Sequence, residues 1–293
     1  MLITRVALLV AGLAMAAPVS AAEPDWAAVA KALGKAGAVQ GGGVYRVGLP
    51  RSDLKVSLDG VDIKPGLALG GWLAFMPLGN YAMVMGDLVL TGDEVSPVMK
   101  KFLEDGIDIT ALHNHLLRSE PMTMYMHVTA HGDPVKLATA LHDGLVLSKT
   151  PMGPAPAAAL QSVDLDTNAI DAAIGYKGKA NGAIYQFSIP RTEAVQDEGM
   201  MVPEAMGSAN GINFQATGAG KAAITGDLVL LASEVNPVLR ALRENGIEVT
   251  AIHSHMLDDQ PHLFFMHFWA NDDAVKLAKG MRAALDKIAV KKS

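Results

Sequence analysis

Thr110-Ala111-Leu112-His113-Asn114-His115 returns 140 residues later as Thr250-Ala251-Ile252-His253-Ser254-His255. The same offset, without a gap, lays Gly86-Asp87-Leu88-Val89-Leu90 on Gly226-Asp227-Leu228-Val229-Leu230, and Glu94-Val95-Ser96-Pro97-Val98 on Glu234-Val235-Asn236-Pro237-Val238. Further out it joins Leu49-Pro50-Arg51 to Ile189-Pro190-Arg191 and Met126-His127 to Met266-His267. A shared register over so many motifs marks a tandem duplication. Between the copies, prolines 151, 154 and 156 remove backbone donors and favour an extended connection. The expected organisation is a leader at 1–22, a first repeat at 23–150, a Pro/Ala linker at 151–160 and a second repeat at 161–293.

Each element can be read twice. Ala82–Leu90 and Ala222–Leu230 are apolar enough for buried strands. Ser96 or Asn236 offers an N-cap oxygen before Pro97 or Pro237, and Gly106 or Gly246 suits the left-handed turn after a short helix. Ile107–Leu116 and Thr123–Thr129 alternate around a turn at Arg118–Pro121, the pattern of a hairpin. Asp133-Pro134 and Asp273-Ala274 open a last helix. This order predicts an α+β fold of two pseudo-symmetric repeats, each a split βαβ, ferredoxin-like sheet with helices on one face. The Gly-rich stretches 35–80 and 176–220 should add further strands.

Residues two apart on a strand share a face, so His113 and His115 project together, about 6.6 Å apart at a rise of about 3.3 Å per residue. A hairpin centred near Glu120 would set His127 across from His113. Three neutral imidazoles then converge, the donor set a divalent transition metal takes with one position left open. The second copy repeats the set as His253, His255 and His267. With no cysteine in the chain, histidine and carboxylate are the strong ligands available. Zinc is the first expectation; copper, nickel and manganese are the alternatives. Met122, Met124 and Met126 fall on the opposite face from His127 and read as core. The competing reading of the histidines is that they are hydrogen-bonded strand residues required by the fold.

Glu94 and Glu234 lie where a carboxylate could reach the metal or act as general base. An acid beside a helix N-terminus also fits them. Asp87 and Asp227 interrupt apolar strands and need a partner there, for which Arg51 and Arg191 are suitable. Trp72 and Phe75 stand where the 140-residue offset puts Ile212 and Gln215, so an aromatic-lined pocket would belong to the first repeat. His113-Asn114-His115 spells a nuclease motif, but the middle residue becomes Ser254 in the second copy. His255 and Asp259 fit half of a lysostaphin-type zinc peptidase pattern that His115 and Ser119 break.

The 293 residues carry 24 Lys plus Arg against 30 Asp plus Glu, so no basic excess exists to neutralise a nucleic acid backbone. Residues 1–22 have the form of a secretory signal: Arg5, an apolar run from Val6 to Ala17, and small residues at Val19–Ala22. No later stretch reaches the roughly 20 apolar residues of a membrane span. The expectation is a periplasmic or secreted protein without a transmembrane segment.

Val44-Tyr45-Arg46-Val47, Leu49-Pro50-Arg51-Ser52-Asp53-Leu54, Met85–Leu90, Thr110–Leu117 and Met126-His127 together resemble the LppY/LpqO family of bacterial envelope proteins, over nearly all of the chain after the leader. The resemblance implies an envelope location and a domain of unknown function. It supplies no catalytic residues. Some members look like lipoproteins, whereas no cysteine follows the leader here, so no lipid anchor is expected at that position. Three functions follow as expectations: a protein binding one metal per repeat, a metal-dependent hydrolase with Glu94 or Glu234 as base, or a non-catalytic module binding a small ligand or envelope component between its halves.

Overall fold

A computed structural model describes residues 24–153 and 162–292. The leader expected at 1–22 and residues 154–160 of the expected linker lie outside the described residues.

The first repeat runs α1 (Trp26–Leu33), β1 (Ala38–Val39), β2 (Tyr45–Pro50), β3 (Val56–Leu58), β4 (Val61–Ile63), α2 (Pro65–Ala68), β5 (Gly70–Leu78), β6 (Tyr81–Thr91), α3 (Gly92–Glu104), β7 (Asp108–His113), β8 (Thr123–Gly132) and α4 (Pro134–Leu145). The second runs α5 (Thr167–Ile174), β9 (Lys179–Asn181), β10 (Ile184–Pro190), β11 (Gln196–Asp197), β12 (Met200–Met201), β13 (Ala209–Gly218), β14 (Lys221–Leu231), α6 (Ala232–Glu244), β15 (Glu248–His253), β16 (Asp259–Gln260), β17 (Leu263–Asp273) and α7 (Ala274–Leu285). Each repeat builds a six-stranded antiparallel sheet, β1-β2-β5-β6-β8-β7 in the first and β9-β10-β13-β14-β17-β15 in the second. In each, the strand after the hairpin lies between the two joined by the middle helix. The fold is therefore α+β in two copies. The Gly-rich stretches hold β1 to β5 and β9 to β13, of which β1, β2 and β5, and β9, β10 and β13, make each sheet wider than the strands placed from sequence.

Alternation along the strands separates two environments. Val84, Leu88 and Leu90 of β6 pack with Met126, Val128 and Ala130 of β8 under α1, α3 and α4, a core made by the first repeat alone. The second repeat closes its own equivalent core. The opposite sheet faces meet each other. One shared core joins Val44, Ala74, Met83 and Met85 to Val229, Met256, Leu263 and Phe265; the other joins Val56, Leu67, Leu69 and Tyr125 to Ile184, Ala223 and Trp269. The molecule has four layers, with helices outside and two sheets face to face. Each repeat also sends an arm onto its neighbour: β3, β4 and α2 cover the second sheet, and the segment 195–206 covers the first. The Gln215 side chain ties the first arm down, accepting from the Lys64 N–H at 2.9 Å and donating to the Asp62 carbonyl at 2.7 Å.

Local chemistry sets the helix ends. The last helices open as the sequence predicts, with Asp133 accepting from the Val135 and Lys136 N–H groups and Asp273 from Lys276. The middle helices begin earlier than predicted, at Gly92 and Ala232, so Pro97 and Pro237 lie inside them. The reason is a carboxylate cap from inside the first turn: Glu94 reaches back to accept from the Thr91 N–H at 2.9 Å, and Glu234 from the Leu231 N–H at 2.7 Å. Gly86 and Gly226 are dictated by close approach. A Cβ at Gly86 would stand 2.6 Å from Leu73 and one at Gly226 2.0 Å from the Gly211 carbonyl oxygen. Of the three methionines read as core, Met126 is fully buried, whereas Met122 is 60% exposed because it sits before β8 begins.

Candidate metal centre

The inner faces of the two sheets bring all six histidines to one place. Asp87 on β6 sits across from His127 on β8, and Asp227 on β14 across from His267 on β17. His113 and His253 end β7 and β15, and His115 and His255 follow in the loops. The hairpin register differs from expectation. His113 faces Tyr125, and His127 faces Ala111, because the connection between the strands is centred on Ser119, not Glu120; the bulge between Ile109 and Ala111 lies farther from the turn. The rings still converge, since His113 reaches along the face to set its Nε2 3.0 Å from His127 Nε2.

The larger difference is that the triplets are not separate. His113 stacks on His253 with ring centroids 3.5 Å apart, His115 on His267 at 3.6 Å, and His127 on His255 at 3.8 Å. Each pair takes one ring from each repeat, and the three pairs map onto one another under the repeat symmetry. Outside them, His115 lies on Tyr125 and His255 on Phe265, both at 3.4 Å. Ligand atoms within 4.8 Å of one another form four groups: His113, His127, His253 and His255; His113, His115 and His267; Asp87, His115 and His127; Asp227, His255 and His267. Two groups cross between repeats. The expectation of one isolated three-histidine site per repeat gives way to one composite cluster with two equivalent Asp-His-His lobes, and His113 and His253 between them.

Asp87 and Asp227 were missed as members of the cluster. Asp87 lies 3.9 Å from His127 Nε2 and 4.0 Å from His115 Nε2; Asp227 lies 3.9 Å from His267 Nε2 and 3.4 Å from His255 Nε2. The arginines assigned to them are engaged elsewhere. Arg51 pairs with Asp53 at 2.8 Å and Glu94 at 2.7 Å, and Arg191 with Glu193 at 2.9 Å and Glu234 at 2.6 Å. The sequence signal that distinguishes the roles is position: Asp87 and Asp227 lie mid-strand, paired with a histidine on the next strand, whereas Arg51 follows the end of β2 and Glu94 lies in the first turn of α3.

The same pairs correct the role expected of Glu94 and Glu234. Glu94 accepts from Arg51, from the Thr91 N–H and from the Lys149 N–H at 2.9 Å. Glu234 accepts from Arg191, the Leu231 N–H and the Ala289 N–H at 3.0 Å. Among the described residues neither belongs to a group of ligand atoms. A carboxylate so saturated is a structural tie between strand, helix and C-terminal segment, not a base poised over water.

In the cluster the hydrogen-bonding ledger does not close. Asp87 Oδ1, Asp227 Oδ1, the Nε2 atoms of His115, His255 and His267, and both nitrogens of His253 are buried without any hydrogen-bond partner among the described residues. Such atoms carry a desolvation penalty unless something satisfies them. The outer nitrogen of His267 is spoken for: its Nδ1–H donates to the Gly226 carbonyl at 2.8 Å, which leaves Nε2 as the lone-pair nitrogen. His127 makes the corresponding bond to Gly86 and His113 Nδ1 lies 3.3 Å from the Asn114 carbonyl. The two Nε2 lone pairs of His113 and His127 thus face each other at 3.0 Å, close to the roughly 3.3 Å between two nitrogens at tetrahedral positions about one ion with bonds of about 2.0 Å.

Burial keeps the rings neutral. It lowers the His113 pKa to about 4 and that of His267 to about 3, and it lowers His115, His127, His253 and His255, each further disfavoured by neighbouring rings. Burial raises Asp87 to about 7 against the pull of Arg46, and raises Asp227 well above the usual carboxylate range with help from the Asp87 charge. Neutral imidazoles with inward lone pairs beside two buried carboxylates, of which Asp87 feels the Arg46 charge, form a set that could hold divalent ions.

A cavity of about 630 Å³ opens beside the cluster, with Asp87, His115, His255 and His267 on its floor and Arg46 and Trp72 on its wall. Trp72 pairs with Asp87 across β5 and β6, while Gly211 pairs with Asp227 across β13 and β14. The residue equivalent to Trp72 is therefore Gly211, not Ile212, and that of Phe75 is Phe214, because a bulge near Gly218 shifts the offset by one in that strand. Phe75 points into the helix-side core, so only Trp72 belongs to the cavity.

Among the described residues no helix is long and apolar enough to cross a membrane. No curated protein matches the chain. A solved structure described as a trimeric bacterial microcompartment shell protein PduB aligns at 11% identity over 86% of this chain and 93% of that chain, with a TM-score of 0.20, too low to carry an argument. The family described as Domain of Unknown Function (DUF1259) matches residues 27–146 and again 168–287, the two units seen in the sheets. The chain belongs to that family and carries two copies of its domain in tandem.

Proposed function

We propose that this is an exported bacterial envelope protein that binds divalent transition metal between its two repeats, zinc first and copper, nickel or manganese as alternatives. The observation that carries the reading is the set of buried, partnerless Nε2 and Oδ1 atoms turned toward one another across the interface. One ion would sit in each Asp-His-His lobe, with His113 and His253 between them. Duplication then acquires a purpose, since each half supplies ligands that the other half encloses. The apolar stretch with small residues before Glu23 supports export to the periplasm or beyond. The motifs around Arg46, Arg51, Asp87 and His113 support placing the chain with the LppY/LpqO envelope proteins. A hydrolytic role through Glu94 or Glu234 finds no support in their geometry.

Titration of chelator-stripped protein with Co(II), followed by visible absorption, tests the reading. Saturable d–d bands at stoichiometric cobalt, lost in His115→Ala/His255→Ala, are expected. A protein that stays colourless and takes up no Zn(II), Ni(II), Cu(II) or Mn(II) overturns it.

A further inference from the structure

The metal ligands occupy only the floor of the cavity beside them, and its wall has a chemistry of its own. Arg46 projects from β2 with its guanidinium carbon 4.0 Å from the centre of the Trp72 ring. One Nη donates to the Ala205 carbonyl on the arm of the second repeat, and no carboxylate among the described residues pairs with the remaining donors. Burial lowers its pKa only to about 10, so it remains a cation. A half-buried guanidinium that feels the Asp87 charge without hydrogen-bonding to it, clamped on one face by an indole and held by one carbonyl, keeps donors of its planar fork for a further ligand.

The room for that partner is built in. Gly48 and Gly211 lie on the inner faces of the two sheets, and a Cβ at either would meet no atom within 4 Å. Neither has a positive φ, so backbone conformation does not demand glycine there. Their lack of side chains leaves the space open. A volume of about 630 Å³ suits a small organic molecule. The equivalent of Arg46 in the second repeat is Gln186, which is uncharged and donates to the Gly66 carbonyl at 3.2 Å, so the cavity has one cationic end.

We infer that the cavity binds a small organic carboxylate, its anionic end bidentate on Arg46 and its body lying over the open backbone of Gly48 and Gly211 toward the Asp-His-His lobes. This deepens the metal reading and rests on it: Asp87 and Asp227 line the same cavity, and a cation held in their lobes would add positive charge where the anion lies. Metal and carboxylate binding are thereby coupled.

Calorimetric titration of benzoate, gluconate and inorganic phosphate into zinc-loaded and chelator-stripped protein tests the inference. At least one carboxylate is expected to bind the loaded protein saturably, with affinity at least tenfold lower after stripping. Arg46→Gln should lower that affinity at least tenfold while leaving zinc stoichiometry unchanged, and Gly48→Leu, which narrows the cavity beside Trp72 rather than beside an aspartate, should do the same. Zinc bound normally with no carboxylate binding, equal binding by both variants, or phosphate binding alone overturns the inference and leaves the metal reading intact. Failure of zinc itself to bind overturns both.

Discussion

Both repeats preserve two sets of charged residues, and the sets behave oppositely. In the first, Arg51 with Asp53 and Glu94, and Arg191 with Glu193 and Glu234, nearly every donor and acceptor is used; Arg191 Nε is the exception. In the second, the aspartates and histidines between the sheets, most inward atoms have no partner among the described residues, and His113 and His127 have only each other. Duplication alone therefore does not distinguish a structural site from a functional one. Satisfaction does: a closed network holds the fold, and an open one awaits a cation.

The contrast can be broken at its closed side first. Arg51 is fully buried, and Arg51→Met should strand the Glu94 charge and cost about 3–5 kcal/mol, read by urea denaturation, with no change in metal content. The network also predicts acid behaviour. Burial alone would raise Glu94 and Glu234, but the arginines and backbone N–H groups outweigh it and hold both below the usual range. The folded protein then binds fewer protons than the unfolded chain, so the stability from these pairs is complete above the ordinary value of about pH 4.3 and is lost as pH falls through the folded values. Arg51→Met should flatten that acid limb.

On the open side, effects should depend on metal. Zinc at 100 times its dissociation constant should stabilise the stripped protein by about 2.7 kcal/mol, visible as a higher Tm that a chelator reverses. Asp87→Asn should contrast with Arg51→Met: it removes a carboxylate that no hydrogen bond or close cation holds in the stripped protein, so that protein should change by less than about 1 kcal/mol while the zinc-induced shift shrinks. A stripped Asp87→Asn protein weaker than the parent by more than that would place Asp87 among the structural ties. The smallest effect belongs outside both sets, where Met122→Ser at an exposed position should stay within about 0.5 kcal/mol in either metal state.

Much of this was legible in the sequence because it is written twice. The repeat offset, the strands at 82–90 and 222–230, the last helices and the gathering of His113, His115 and His127 all follow from local pattern. The union of the two triplets does not. Period-two alternation says that His113 and His127 share a face, but not that this face meets His253 and His255, since sheet packing is a long-range event with no local signature. Asp87 was paired with Arg51 because charge complementarity is blind to distance; the register puts Asp87 beside His127 and Arg51 at the strand end beside Glu94. The Trp72 comparison slipped by one residue because a bulge near Gly218 alters the offset without altering the motifs on either side.

Anomalous diffraction at the zinc edge, on crystals of stripped protein reloaded with zinc, tests the composite centre most directly. The expected result is peaks between the two sheets within about 2.2 Å of His127 Nε2 and His267 Nε2, bounded by rings of both repeats. Peaks confined to the outer surface, with the six imidazoles undisturbed and no ion among them, would contradict it.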